Sequence, residues 1–135
     1  MEKYTVSREL AEKLKKAGFP QTTQYTYYIF HSEVKFLDKI SVNQHFSDRA
    51  VSDDDLFAAP ISDELLEQLP KLINRNQFLS LTYPINLWVA CYTVTVAGRD
   101  GTKLKDMPTG DTAVEALAQL YLWCAEHGYL EGQGS

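Results

Sequence analysis

Three histidines, two cysteines and a run of three aspartates are the residues of this chain best equipped for chemistry. His31, His45 and His127 lie far apart, and none belongs to an H-x-x-x-H or H-E-x-x-H pattern that would set two imidazoles on one helical face, so the spacing points to no zinc site. His127 falls in the last turn of an expected helix, where a cation faces the negative end of the dipole. Cys91 becomes a nucleophile only if folding brings a base such as His31 or His45 within hydrogen-bond reach. The plainer expectation for a cysteine between Ala90 and Tyr92 on a strand is a small buried hydrophobe, and Cys124, on the core face of a helix, carries the same expectation more strongly.

Asp53, Asp54 and Asp55 offer the oxygen ligands that calcium and magnesium prefer, but consecutive residues cannot all face one ion and the alternation of a calcium loop is missing. They are expected in a solvated loop or helix cap. Tyr25, Tyr27, Tyr28 and Phe30 could stack nucleic-acid bases, yet a stacking platform needs flanking cations and only Lys35 and Lys39 are near. A cross-strand aromatic cluster in the core is the better expectation. Lys13, Lys15 and Lys16 look basic, but Glu9 with Lys13 and Glu12 with Lys16 are i,i+4 pairs suited to a solvated helix face. No phosphate-binding glycine loop, nucleophile elbow or paired-carboxylate motif occurs. The residues therefore predict no catalytic, cofactor-binding or metal-binding set.

The elements that would position these groups are easier to read. Ser7 can cap a helix whose first turn holds Glu9 and whose apolar positions are Leu10, Leu14 and Ala17. Gly18 supplies a left-handed end, followed by Phe19 and Pro20. Tyr25 to Phe30 favours a strand, and Glu33 to Ser47 suggests one or two more short ones. A loop from Asp53 through Pro60 leads to a second helix, capped by Ser62, with Ile61 and Leu66 as a hydrophobic staple; Pro70 and Asn74-Arg75-Asn76 close the helical region. Leu79, Leu81 and Tyr83 alternate as a strand does.

After Pro84, Trp88, Ala90, Tyr92, Val94 and Val96 share one face and Val89, Cys91, Thr93 and Thr95 the other, the mark of a central strand covered on both sides. Asp100-Gly101 suits a hairpin turn that returns through Thr102 to Met107. Thr112 and Glu115 form a T-x-x-E capping box at the start of the last helix. There Ala113, Leu117, Leu120, Tyr121 and Cys124 fall on one face and Glu115, Gln119 and Glu126 on the other. Gly128 ends that helix as Gly18 ends the first. Leu122 falls on the polar side and is expected to be exposed.

Composition bounds the function. A chain of 135 residues should bury about two thirds of its unfolded surface. Hydrophobic residues at 44% and charged residues at 23% exclude a disordered chain. The segment Met1 to Lys16 carries Glu2, Lys3, Arg8, Glu9 and Glu12 where a signal peptide needs an apolar run. No apolar stretch approaches the roughly 20 residues that span a bilayer, so cytoplasmic residence is expected. The net charge of -5 lies mainly in residues 61 to 135, with 5 basic and 9 acidic groups. Nucleic-acid binding, which requires clustered cations, is disfavoured.

Leu56 to Pro70, "LFAAPISDELLEQLP", and residues 94 to 130, "VTVAGRDGTKLKDMPTGDTAVEALAQLYLWCAEHGYL", resemble small bacterial proteins of prophages and mobile elements. The strand, hairpin and terminal helix with its T-x-x-E-A-L-A start also resemble the phage ABA-sandwich domain. The resemblance covers roughly residues 55 to 130. It implies a compact α+β sandwich, and it transfers no functional residue.

The expectation is thus one α+β domain over residues 1 to 130. An antiparallel sheet of about four to five strands is packed by two or three helices, and residues 131 to 135 form a tail. The expected function is that of a non-enzymatic, phage-like accessory protein binding another protein or itself. The rivals are a small enzyme using Cys91 or a carboxylate with a histidine, and a nucleic-acid-binding module.

Overall fold

The computed structural model describes residues 4–30, 33–38, 56–73, 77–83, 86–94 and 108–130. His31, His45, Asp53 to Asp55, the Asn74 to Asn76 triplet, the expected hairpin at Gly98 to Gly101 with its return to Met107, and the tail from Glu131 lie outside the described residues. Within them run α1 (Arg8–Lys16), β1 (Tyr25–Phe30), β2 (Glu33–Asp38), β3 (Leu56–Ala58), α2 (Ser62–Gln68), β4 (Leu72–Ile73), β5 (Gln77–Thr82), β6 (Trp88–Val94), β7 (Thr109–Gly110) and α3 (Ala113–Glu126).

The class is α+β, as expected, and the described strands are divided between two antiparallel sheets. One has the order β2-β1-β3 and the other β4-β5-β6-β7. The strand β6 is interior, between β5 and β7, which agrees with its two apolar faces. Residues 56 to 58, expected in a loop, form β3 instead. Phe57 stands opposite Tyr27, and Leu56 and Ala58 flank it opposite Tyr28 and Thr26. Three residues carry too little pattern to announce a strand; the ladder offered by β1 makes it one.

The helix ends follow local chemistry closely. Ser7 Oγ accepts from the Leu10 amide (3.4 Å), and Thr112 Oγ1 accepts from the Glu115 amide (3.2 Å), each satisfying a first-turn donor with no partner within its own helix. At the other end of α1 the Phe19 amide reaches the Leu14 carbonyl (2.9 Å) and the Gly18 amide that of Lys15 (3.1 Å), with Gly18 at φ +92°. The end of α3 repeats the arrangement: Tyr129 bonds to Cys124 (2.9 Å), Gly128 bonds to Ala125 (3.4 Å), and Gly128 has φ +78°. These are the paired 6→1 and 5→2 bonds of a left-handed glycine cap.

The start of α2 differs by one residue from the expectation: Ile61, not Ser62, holds the cap position. An isoleucine has no side-chain acceptor, so Glu64 does the work from inside the helix. Its Oε1 accepts from the Ile61 amide (2.9 Å) and its Oε2 from the Gln24 amide (2.8 Å). One carboxylate therefore both closes the start of α2 and fastens it to the loop before β1.

The core is a contiguous cluster fed by α1 (Leu10, Leu14), β1 (Tyr25, Tyr27), α2 (Leu65), β6 (Ala90, Tyr92) and α3 (Leu117, Leu120, Tyr121). The hub is α3, which packs on β6 and β7 and against both α1 and α2. That placement corrects the reading of Leu122: it is partly buried against the core, because α3 is covered on several sides and has no broad solvent face. The join between α1 and α3 includes Phe19 and Tyr121, edge to face with centroids 5.0 Å apart. Gly110 in β7 lets the sheet approach α3 closely, since a Cβ there would stand 2.6 Å from Glu115 Cβ and 2.7 Å from the Ala116 nitrogen.

Candidate functional site

An open groove of about 580 Å³ lies where the starts of α2 and α3 come together. Tyr4, Ile61, Trp88 and Val114 line it, its surface is mostly apolar, and the acidic residues Asp63 and Asp111 are among its lining residues. Long-range pairings put these residues together. Thr5 bridges to Ile61, and the Val6 amide donates to the Pro60 carbonyl (3.4 Å), which sets Tyr4 beside the start of α2. Trp88 pairs with Gly110 and Val89 with Thr109, which sets Trp88 beside Asp111 and Thr112. Asn86, with φ 51°, turns the chain just ahead of β6, a left-handed position that asparagine tolerates better than most residues.

The groove is rich in aromatic surface. Tyr4 is 53% exposed, and Trp88 is partly buried against the core. Tyr83, also 53% exposed, lies against Trp88 with ring centroids 5.1 Å apart. Both acidic residues sit at helix starts, Asp63 in the first turn of α2 and Asp111 immediately before the α3 cap residue Thr112. Carboxylates there are stabilised by the positive end of the helix dipole. Tyr4, Asp63, Trp88 and Asp111 carry no sequence motif; only the cap at Thr112 was legible at this site.

The residues singled out for chemistry do not gather at the groove. Cys91 is buried, opposite Ser80 in the ladder. Because side chains alternate along a strand and its neighbour Tyr92 points into the core to meet Cys124 and Trp123, Cys91 faces the other side of the sheet. The single histidine among the described residues, His127, belongs with Trp123. Its ring stacks on the indole at 4.4 Å, and Nδ1 lies 2.8 Å from the Trp123 carbonyl oxygen. The other bases considered for Cys91, His31 and His45, lie outside the described residues.

Cys124 is fully buried and donates to Tyr92 Oη at 3.7 Å, while that hydroxyl donates to the Pro70 carbonyl at 2.7 Å. Burial pushes the Cys124 thiol up to about 11, against a smaller downward pull from the Tyr92 hydroxyl. A thiol so held is protonated at neutral pH and a poor nucleophile. Burial likewise pushes the Tyr92 phenol well above its ordinary range, with Cys124 adding to the rise.

Of the aromatic residues of β1, Tyr25 and Tyr27 join the core cluster, as expected, whereas Tyr28 is half-buried outside it. Tyr25 stacks on Phe36 of β2 at 5.2 Å and Tyr27 meets the same ring edge-on at 5.5 Å, both tyrosines being buried. The lysine-rich face of α1 differs from expectation in its partners: Glu9 pairs with Arg8 at 3.7 Å, and Lys15 Nζ donates to the Leu56 carbonyl (2.7 Å) over the Phe57 ring (4.7 Å). Among the described residues no three His, Cys, Asp or Glu side chains gather as a metal site would require, and no helix is long and apolar enough to cross a membrane.

In comparisons with known proteins, no family model, no curated protein and no solved structure matches the chain.

Proposed function

We propose that the chain is a non-enzymatic accessory protein, of the phage type that residues 56–70 and 94–130 resemble, and that it binds another protein through the groove between the starts of α2 and α3. The observation that carries this reading is the aromatic surface at an open depression: Trp88 and Tyr4 line it, and Tyr83 lies against Trp88, the two tyrosines more than half exposed. Tyrosine and tryptophan are enriched at the centres of protein interfaces, where they bury much area with few rotamers to fix. Small-molecule sites enclose most of their ligand's surface, whereas this groove opens broadly to solvent. The buried thiols support the non-enzymatic side of the reading, Cys124 through its raised pKa and Cys91 through its burial.

The test is selection from a random-peptide library against the intact chain, with the Tyr4→Ala and Trp88→Ala variants as counter-targets. Thermal melts accompany the variants, because Trp88 also packs on the core. Peptides enriched on the parent and lost on folded Tyr4→Ala support the reading. No enrichment, or enrichment indifferent to both substitutions, overturns it.

A further inference from the structure

We infer that the occupant of this groove is an arginine-bearing segment of the partner protein. The inference rests on the protein-binding reading above and names the chemistry of the bound segment. Two formal negative charges, from Asp63 and Asp111, line the groove, and no lysine, arginine or histidine appears among its described lining residues. The starts of α2 and α3 face the same space and oppose a cation, but a helix start carries only roughly half a positive charge. With α2 just seven residues long, the two helix starts together offset at most about one of the two carboxylate charges. Among the described lining residues the balance is negative, which repels the phosphates of a nucleic acid as it attracts a cation.

The walls choose among cations. A guanidinium is planar and weakly hydrated; it stacks on an aromatic face while its edge donates to carboxylates. Trp88 and Tyr4 supply the faces and Asp63 and Asp111 the acceptors, within one depression. A lysine ammonium is a more strongly hydrated point charge and uses the rings less well. An uncharged apolar residue would use the rings and leave the carboxylates idle.

Trp88 provides the readout. The chain has two tryptophans, so a Trp123→Phe background leaves Trp88 as the sole indole, its fold checked by circular dichroism. Into this protein are titrated short synthetic peptides alike except at one central residue: arginine, its uncharged isostere citrulline, lysine or glutamate. A saturable change in Trp88 emission is expected with the arginine peptide, with affinity about tenfold or more above that for citrulline if the carboxylates act. Asp63→Asn and Asp111→Asn should each narrow that gap, with melts showing that the variants remain folded.

Equal binding of the citrulline peptide, tighter binding of the lysine or glutamate peptide, or no saturable response to arginine overturns the inference. The library selection separates its failure from that of the parent reading. Groove-dependent peptides without arginine sink the inference and leave protein recognition standing; no groove-dependent peptides sink both.

Discussion

The Cys124 thiol and the Tyr92 hydroxyl form one buried hydrogen-bonded chain that ends on the Pro70 carbonyl, tying α3 to β6 and to the residue two places after α2 (3.7 and 2.7 Å). Each polar group in it is enclosed by apolar packing and each has its partner. Leaving such a group unsatisfied costs more than the bond itself contributes. The chain is thus a structural joint, and its behaviour can be measured.

Cys124 should be chemically silent in the folded protein. In a Cys91→Ala background, a thiol-reactive disulfide reagent at neutral pH should label Cys124 only after denaturant is added. Prompt labelling of the native protein would contradict the burial and the raised pKa.

The same thiol gives stability a pH dependence whose sign follows from its raised pKa. The native state keeps the proton up to about 11, whereas the unfolded chain loses it near the ordinary value of 9.0. Between those limits the folded state binds more protons, so its stability is intact below about pH 9 and falls as pH climbs toward 11. The raised phenol of Tyr92 acts in the same direction at the upper end. Urea titrations from pH 8 to 11 on the parent and on Cys124→Ala should show a shallower decline for the variant; parallel curves would dismiss the linkage.

Tyr92→Phe removes the middle of the chain and leaves the Cys124 thiol and the Pro70 carbonyl without their observed partner. The expected loss is about 1 to 3 kcal/mol by urea unfolding, from desolvated groups left unpaired rather than from lost volume. Loss of the hydroxyl also removes the one influence that lowers the Cys124 pKa, so the thiol should titrate still higher.

Gly110 and Gly18 should respond differently to alanine. At Gly110 the added methyl meets Glu115 Cβ and the Ala116 nitrogen, backbone of the first turn of α3 that cannot swing aside. Overpacking of this kind costs about 1 to 3 kcal/mol. At Gly18 the space is empty and the cost is that of a left-handed alanine, about 1 to 2 kcal/mol. Glu115→Gly removes only the Cβ contact and leaves the Ala116 nitrogen 2.7 Å away, so it should recover at most part of the Gly110→Ala loss. The same second substitution should not rescue Gly18→Ala.

Glu64→Ala withdraws the carboxylate that accepts from both Ile61 and Gln24. With both amides near the surface, water recovers part of the loss, and a cost of about 1 kcal/mol, typical of a lost cap, is expected. Amide hydrogen exchange should quicken at Ile61 and at Gln24 together. Acceleration at only one of them would show that the bridge does not hold.

The helices were written in the sequence because their signals are local. Ser7 and Thr112 cap amides three residues on, and Gly18 and Gly128 release the chain within one turn. Tyr92 and Ala90 announced the buried face of an interior strand by simple alternation, and the burial of both cysteines followed from their apolar neighbours. Other features required residues far apart to meet. Leu56 to Ala58 became a strand only because Thr26 to Tyr28 offered them a ladder, and Leu122 was drawn against the core only because α3 is enclosed by α1 and α2 as well as by a sheet. The groove belongs to this second kind: Tyr4, Asp63, Trp88 and Asp111 share no spacing, and tertiary pairing alone, Thr5 with Ile61 and Trp88 with Gly110, brings them to one place.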